Sequence, residues 1–264
     1  MPPARQGRGS LVVAGAGITA GTQMTLEAVA AVRRAERVFY VVANPATATW
    51  LRRQNQSVVS LEDCYAPGKP RAKTYREMAA RILSAVRDGL EVCVVFYGHP
   101  GVAVDATHQA IRRARREGFP ARMLPGISSD GCLFADLGID PAMTGCQSFE
   151  ASDFLASRRT FDPTSALILW QVGLLGEASV RPGMSCRPER LKVLTGVLRR
   201  HYPARHRVVL YEAAQYPVCD PLIKRVALST LPTETIPPAV TLYVPPLPAR
   251  AADPRVMRWF ESRS

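Results

Sequence analysis

At 264 residues, 47% hydrophobic and 21% charged, the chain suits one large domain or two small ones, with ample length for a real core. A formal charge of +12 invites a nucleic-acid reading, but the arginines are scattered along the whole chain and only four lysines accompany them. The doublets Arg33-Arg34, Arg52-Arg53 and Arg158-Arg159 stand beside no aromatic-rich strand, which argues against a nucleic-acid binder and fits a codon bias.

Six cysteines (Cys64, Cys93, Cys132, Cys146, Cys186 and Cys219) form no CxxC or HxxxC pair, so the expectation is no metal site and a reduced, cytoplasmic protein. No uncharged stretch is long enough for a transmembrane helix, and no membrane partner is expected.

Arg5 and Arg8 followed by "SLVVAGAGI" mimic a short signal peptide. The apolar part runs straight into an amphipathic pattern, so Leu11–Ala14 reads as a first strand and Gly15-Ala16-Gly17 as the turn after it. A helix follows over Thr25–Ala35 with Leu26, Val29 and Val32 on one face. Next come a strand at Arg37–Val42, a short helix over Ala46–Gln54 and a strand at Ser57–Leu61. A polar loop spans Glu62 to Lys73, and a helix from about Thr74 to Asp88 is stopped by Gly89. Val92–Phe96 is a strand, Ala106–Glu117 a helix and Arg122–Leu124 a short strand. This alternation is that of an α/β unit with a mainly parallel sheet. Strand-like runs at Gln147–Glu150, Ala166–Gln171, Val208–Glu212 and Val240–Val244, with a helix at Glu189–His201, indicate a second, mixed lobe. The expected division is 10–124, 125–246 and a short tail at 247–264.

Four stretches can bear chemistry. Gly15-Ala16-Gly17 is either a tight turn or a place where a ligand meets backbone. It is a weak dinucleotide fingerprint, because Ala20 replaces the third glycine and the second strand ends at Asn44 rather than an acid. "FYGHPGV" puts Tyr97, Gly98, His99 and Gly101 at a strand's carboxyl end, where open α/β sheets bind ligands. "YAPGKPRAKTY" holds Tyr65, Arg71 and Tyr75 within reach of one point, or is a solvated basic loop. "MLPGISSDGCLFADL" offers Ser128 and Ser129 before an apolar helix, either as caps or as ligand contacts.

Together "GSLVVAGAGI", "FYGHPGVAV", "MLPGISS", "LFADL", "FEASDFL", "WQVG" and "VTLYVPP" resemble the tetrapyrrole-methylase fold, and within it the borosin peptide backbone α-N-methyltransferases. The similarity covers about residues 10–246. It implies two α/β lobes with S-adenosylmethionine in the cleft between them. It also implies a homodimer, or a heterotetramer with two precursor peptides, methylating backbone amides of a ribosomally made peptide. By position, Arg71, Tyr75 and Tyr97 match residues assigned to catalysis, and Tyr65 a further active-site tyrosine. Tyr97, His99, Val102, Val104, Ser128, Ser129, Gln171, Ala213 and Thr241 match cofactor contacts. The alternative of the same fold is a precorrin-type corrin or porphyrin C-methyltransferase.

Two departures stand out. Glu62 replaces a further active-site tyrosine of fungal relatives. Fungal members also continue into a helical clasp carrying their own substrate, whereas here "ADPRVMRWFESRS" follows, too charged and short to be a methylated core. Asp253 and Pro254 suit a helix start, with Val256, Trp259 and Phe260 as an apolar patch expected to pack on the enzyme or its twin. The resemblance then implies a separate precursor acting in trans.

Overall fold

The computed structural model describes residues 9–179, 183–249 and 251–261; Arg5, Arg8 and the last three residues of the tail lie outside the described residues. The chain divides into two compact units. The first takes in the chain up to Gly138 together with Glu177–Met184 and Glu212–Leu222; the second comprises Ile139–Gly176, Ser185–Tyr211 and the chain from Ile223.

In the first unit the order is β1 (Ser10–Gly15), α1 (Leu26–Arg34), β2 (Arg37–Val41), α2 (Pro45–Gln54), β3 (Val58–Ser60), α3 (Arg71–Arg87), β4 (Glu91–Phe96), α4 (Asp105–Arg116), β5 (Ala121–Met123) and α5 (Ser129–Leu137). The strands form one parallel sheet in the order β3-β2-β4-β1-β5, with Val13 opposite Val94 in β1 and β4. Leu11, Val13, Val92, Val94 and Phe96 bury against Met78, Ile82, Val86 and Ala110 of α3 and α4. Ala14, Val38, Cys93 and Val95 bury against Ala28, Val32 and Leu51 of α1 and α2. Coverage on both faces is why β4 reads as an unbroken apolar run instead of alternating. Each such fully buried aliphatic side chain contributes roughly 1.5–3 kcal/mol.

The helices α1 and α2 lead the chain one way across the sheet on one face, and α3 and α4 lead it back on the other, as right-handed crossovers require. The connections of β1 and β4 therefore leave these neighbouring strands towards opposite faces. That makes their carboxyl ends the switch point of the sheet.

The helix expected from Thr74 begins three residues earlier, at Arg71. No Ser, Thr, Asp or Asn precedes Arg71, so local capping chemistry points to Thr74. Instead Pro70 stands at the cap, and the Arg71 N–H donates to Ala178 O at 3.0 Å, satisfying one orphan donor from a distant segment.

The second unit contains α6 (Pro141–Thr144), β6 (Cys146–Glu150), α7 (Ala151–Ala156), β7 (Ala166–Trp170), α8 (Pro188–Leu198), β8 (Arg207–Glu212), β9 (Leu222–Ala227), β10 (Thr241–Val244) and α9 (Pro254–Glu261). Its sheet is mixed, in the order β6-β7-β10-β8-β9, with β6 parallel to β7 and β10 antiparallel to β7 and β8. Phe154, Leu167, Leu169, Leu191, Leu194, Val208, Leu210 and Leu242 form its core. The edge strand β9 escapes sequence patterning because Lys224 and Arg225 are exposed on it, as edges protected against further pairing require. The apolar residues of α9 remain about half exposed, Val256 at 46% and Phe260 at 56%. Among the described residues no helix is long and apolar enough to cross a membrane.

Candidate functional site

At the switch point the chain fills the crevice with its own backbone. Gly98 N–H donates to Gly17 O at 2.9 Å, and both glycines have φ of +69°. A Cβ on Gly15 would lie 2.3 Å from Gly98 O, and one on Gly126 3.3 Å from the Gly15 Cα. The glycines of the weak dinucleotide-like turn thus serve loop-on-loop packing. Asn44, where an acid would hold a ribose, is 4% exposed and accepts from the Thr47 N–H at 2.9 Å as the cap of α2.

The structure brings Tyr65, Arg71 and Tyr75 together. Arg71 and Tyr75 lie one turn apart on α3, on the same face. The Arg71 guanidinium donates to Glu177 O at 3.1 Å. The expected polar loop contains a single helical turn at Glu62–Cys64 that delivers Tyr65. Two ion pairs hold this loop on α3: Arg81 with Asp63 at 2.7 Å, and Lys69 with Glu77, Lys69 also donating to Cys64 O at 2.7 Å. The Tyr65 phenol lies within electrostatic reach of both Tyr75 and Arg71. Tyr65 is 39% exposed, yet its hydroxyl is the desolvated end. Burial first, then the neighbouring Tyr75, push its pKa well above the ordinary phenol range, and Arg71 opposes them only in part.

Tyr97 follows β4 directly, its N–H donating to Val41 O at 2.9 Å. Burial lifts its pKa to about 12, with Glu212 and Cys132 adding in the same direction. Glu212 and Ala213 belong to the first unit. Their segment is tied to the loop after β1 by Thr19, whose hydroxyl donates to Ala214 O at 2.9 Å.

The loop carrying His99, Val102 and Val104 is locked by a residue that sequence reading passed over. Thr107 is fully buried and donates to Pro100 O at 2.6 Å or Val104 O at 2.8 Å. His99 Nδ1 accepts from the Gly101 N–H at 3.0 Å, leaving the ring proton on Nε2 as a donor. Gln23 was equally silent in sequence: its Oε1 accepts from the N–H groups of Ile18 at 2.7 Å and Thr19 at 3.0 Å, pinning the glycine turn. Ser128 precedes α5 but does not cap its backbone; its hydroxyl donates to Asp130. Gln171 and Thr241 belong to the second unit, Gln171 in a left-handed conformation at φ +55° after β7 and Thr241 buried at the start of β10. A left-handed backbone at a β-strand end, on a residue other than glycine, is the kind of strain found at functional positions. Glu62 is exposed and lines a separate cleft of about 410 Å³ with Tyr40, Asn44 and Arg52.

The donors on hand suit a nucleoside-bearing, carboxylate-bearing cofactor: the His99 N–H and the Ser129 hydroxyl are polar, Val102 and Val104 follow His99 as apolar positions, and the Ser128 hydroxyl is already committed to Asp130.

Comparison with known proteins bears directly on this arrangement. The chain is 43% identical over 257 residues to the methyltransferase/ribosomally synthesized cyclic peptide gymnopeptides precursor of Gymnopus fusipes, covering 96% of this chain and 61% of that protein. It is 41% identical to the omphalotin A precursor of the same type from Omphalotus olearius, again over 96% and 61%. A type I borosin cyclic peptide precursor of Coprinopsis marcescibilis is 40% identical over 90% of this chain and 62% of its own. The chain thus spans about three-fifths of the length of these curated relatives. Among solved structures, the uroporphyrin-III-C-methyltransferase from Thermus thermophilus superposes with a TM-score of 0.64 at 20% identity, over 90% of this chain and 92% of that one. Cobalt precorrin-4 methyltransferase gives 0.62 at 18%, over 89% and 94%, a likeness of fold. The model of the tetrapyrrole (corrin/porphyrin) methylases matches residues 10–219, most of the chain and the whole run from β1 to the Glu212 segment. The parallel sheet, the glycine-sealed switch point and the tyrosine–arginine cluster therefore sit in a chain that belongs to the tetrapyrrole methylase family.

Proposed function

We propose that the chain is an S-adenosylmethionine-dependent methyltransferase that methylates backbone amide nitrogens of a ribosomally made precursor peptide supplied as a separate chain. A homodimer is the assembly that goes with this reading. The observation that carries it is the cluster of Tyr65, Arg71 and Tyr75, with Arg71 and Tyr75 one turn apart on α3 and both acting on the Tyr65 phenol. The printed names of the curated relatives, each a methyltransferase joined to a peptide precursor, support a peptide substrate.

When bound, S-adenosylmethionine supplies a methyl group already activated on a sulfonium. The chain's own task is the acceptor. An amide nitrogen has its lone pair delocalised into the carbonyl. It becomes nucleophilic only if its proton is taken and the charge gathering on the carbonyl oxygen is met. Tyr97, whose burial keeps its O–H intact far into the alkaline range, donates to that oxygen; one such donor is worth roughly 3–4 kcal/mol. Tyr75, acting as its phenolate one turn from Arg71, takes the amide proton and becomes the neutral phenol. Arg71 provides a cation for the charge that develops as the proton leaves. Holding the acceptor in line supplies roughly 7–11 kcal/mol more.

The test is incubation with S-adenosylmethionine and the small peptide encoded beside the gene, followed by intact mass and fragmentation. Methylene-sized increments on backbone nitrogens are expected. Transfer to a tetrapyrrole macrocycle with none to the peptide overturns the reading.

A further inference from the structure

The second unit carries a cleft of about 680 Å³ that the proposed chemistry does not use. Its floor is apolar, formed by Phe154, Leu155, Phe161 and Val197, and its rim is cationic, with Arg158, Arg159 and Arg200. Among the described residues no Asp or Glu lines it. Arg159 is held by Asp153 at 2.8 Å. Among the described residues, Arg158 and Arg200 are exposed and have no side-chain hydrogen-bonding or ionic partner.

A second observation marks the rim. The helix α7 ends with the Arg159 N–H donating to Phe154 O at 3.1 Å and the Arg158 N–H to Leu155 O at 3.2 Å, which puts Arg158 at φ +48°. This is the position at which helices ordinarily place glycine, because a Cβ there is strained. The chain instead holds an arginine there, on the rim of the cleft that Arg200 also lines.

We infer that this cleft docks an acidic, apolar-containing peptide segment, carboxylates meeting Arg158 and Arg200 and an apolar side chain resting on Leu155 and Val197. Guanidinium forks match carboxylates two bonds at a time, and the volume fits a few residues. A nucleic acid is the poorer occupant. Phe161 is T-shaped to His201 at 4.8 Å and stacked on Tyr202 at 6.0 Å, so it offers no open platform for bases. The cleft's use as a handle for the methylation substrate rests on the reading above; its affinity for such a segment does not.

The test therefore involves neither cofactor nor methyl transfer. Fluorescence anisotropy follows the whole chain binding a short labelled peptide that alternates Glu with Phe and Leu, its Lys-for-Glu counterpart, and a single-stranded oligothymidylate. Saturable binding of the acidic peptide alone is expected, weakened roughly tenfold by Arg200→Glu. Arg158→Gly is expected to weaken it as well while raising the melting temperature by roughly 2–4 °C, since it relieves strain as it removes the charge. Absence of saturable binding, equal binding of the Lys peptide, tighter binding of the oligonucleotide, or affinity unchanged in either variant overturns the proposal.

Discussion

Tyr75 stands one helical turn beyond Arg71 on the same face of α3. A phenol takes an amide proton only as its phenolate, and Tyr65, whose burial holds its own proton in place, is the poorer base of the two. Tyr75→Phe is therefore expected to lower kcat by roughly 100-fold or more, and Arg71→Lys to do likewise, because an ammonium does not reproduce the guanidinium fork that also reaches Glu177 O. Cofactor binding by calorimetry should stay at the parent value in both. Parent-like turnover in Tyr75→Phe removes Tyr75 from the proton transfer.

Lys69 positions Tyr65 by tying the loop to Glu77 on α3 and to Cys64 O. Lys69→Met is expected to lower kcat with little change in melting temperature, and to be non-additive with Tyr65→Phe by about 1 kcal/mol in a double-mutant cycle. Strict additivity would show that the lysine acts elsewhere.

The glycines at the switch point should rank by geometry. Gly15→Ala sets a methyl 2.3 Å from Gly98 O, backbone that cannot swing aside, and is expected to cost 3 kcal/mol or so at the upper end of overpacking effects. Gly98→Ala meets only the tip of Ile18 at 3.4 Å and suffers chiefly from its φ of +69°, a cost of about 1 kcal/mol. Urea unfolding measures both; the opposite order would mean that the loops do not pack as described.

Alkaline stability tests the burial of Tyr97. Its pKa is raised from 10.0 to about 12, so the neutral form is favoured in the folded chain. The resulting stability is complete below pH 10, where both states hold the proton. It declines as pH rises from 10 towards about 12, because the unfolded chain ionises first. Tyr97→Phe should flatten that part of the unfolding profile. An unchanged slope would place the hydroxyl in water.

Much of the first unit was legible because its signals are local. The apolar run Val92–Phe96, the helix stopped by Gly89 and the strand–helix alternation each follow from residues close in sequence, and the expected parallel sheet is the one found. The start of α3 was not, since the partner of the Arg71 N–H, Ala178, lies more than a hundred residues away. The edge strand β9 was hidden by its charges, and Thr107 and Gln23 by the ordinary look of a threonine in a helix and a glutamine in a loop.

The sequence by itself determined the periodicities, the stops and the types of side chain offered at each strand end, all of which act over a few residues of chain. Only the tertiary structure decided that the Tyr65 phenol is desolvated against Tyr75 and Arg71, that the glycines seal a crevice against backbone, and that Arg158 bears a left-handed strain beside a cationic cleft. Those outcomes depend on desolvation and on contacts between segments far apart along the chain, which no local pattern encodes.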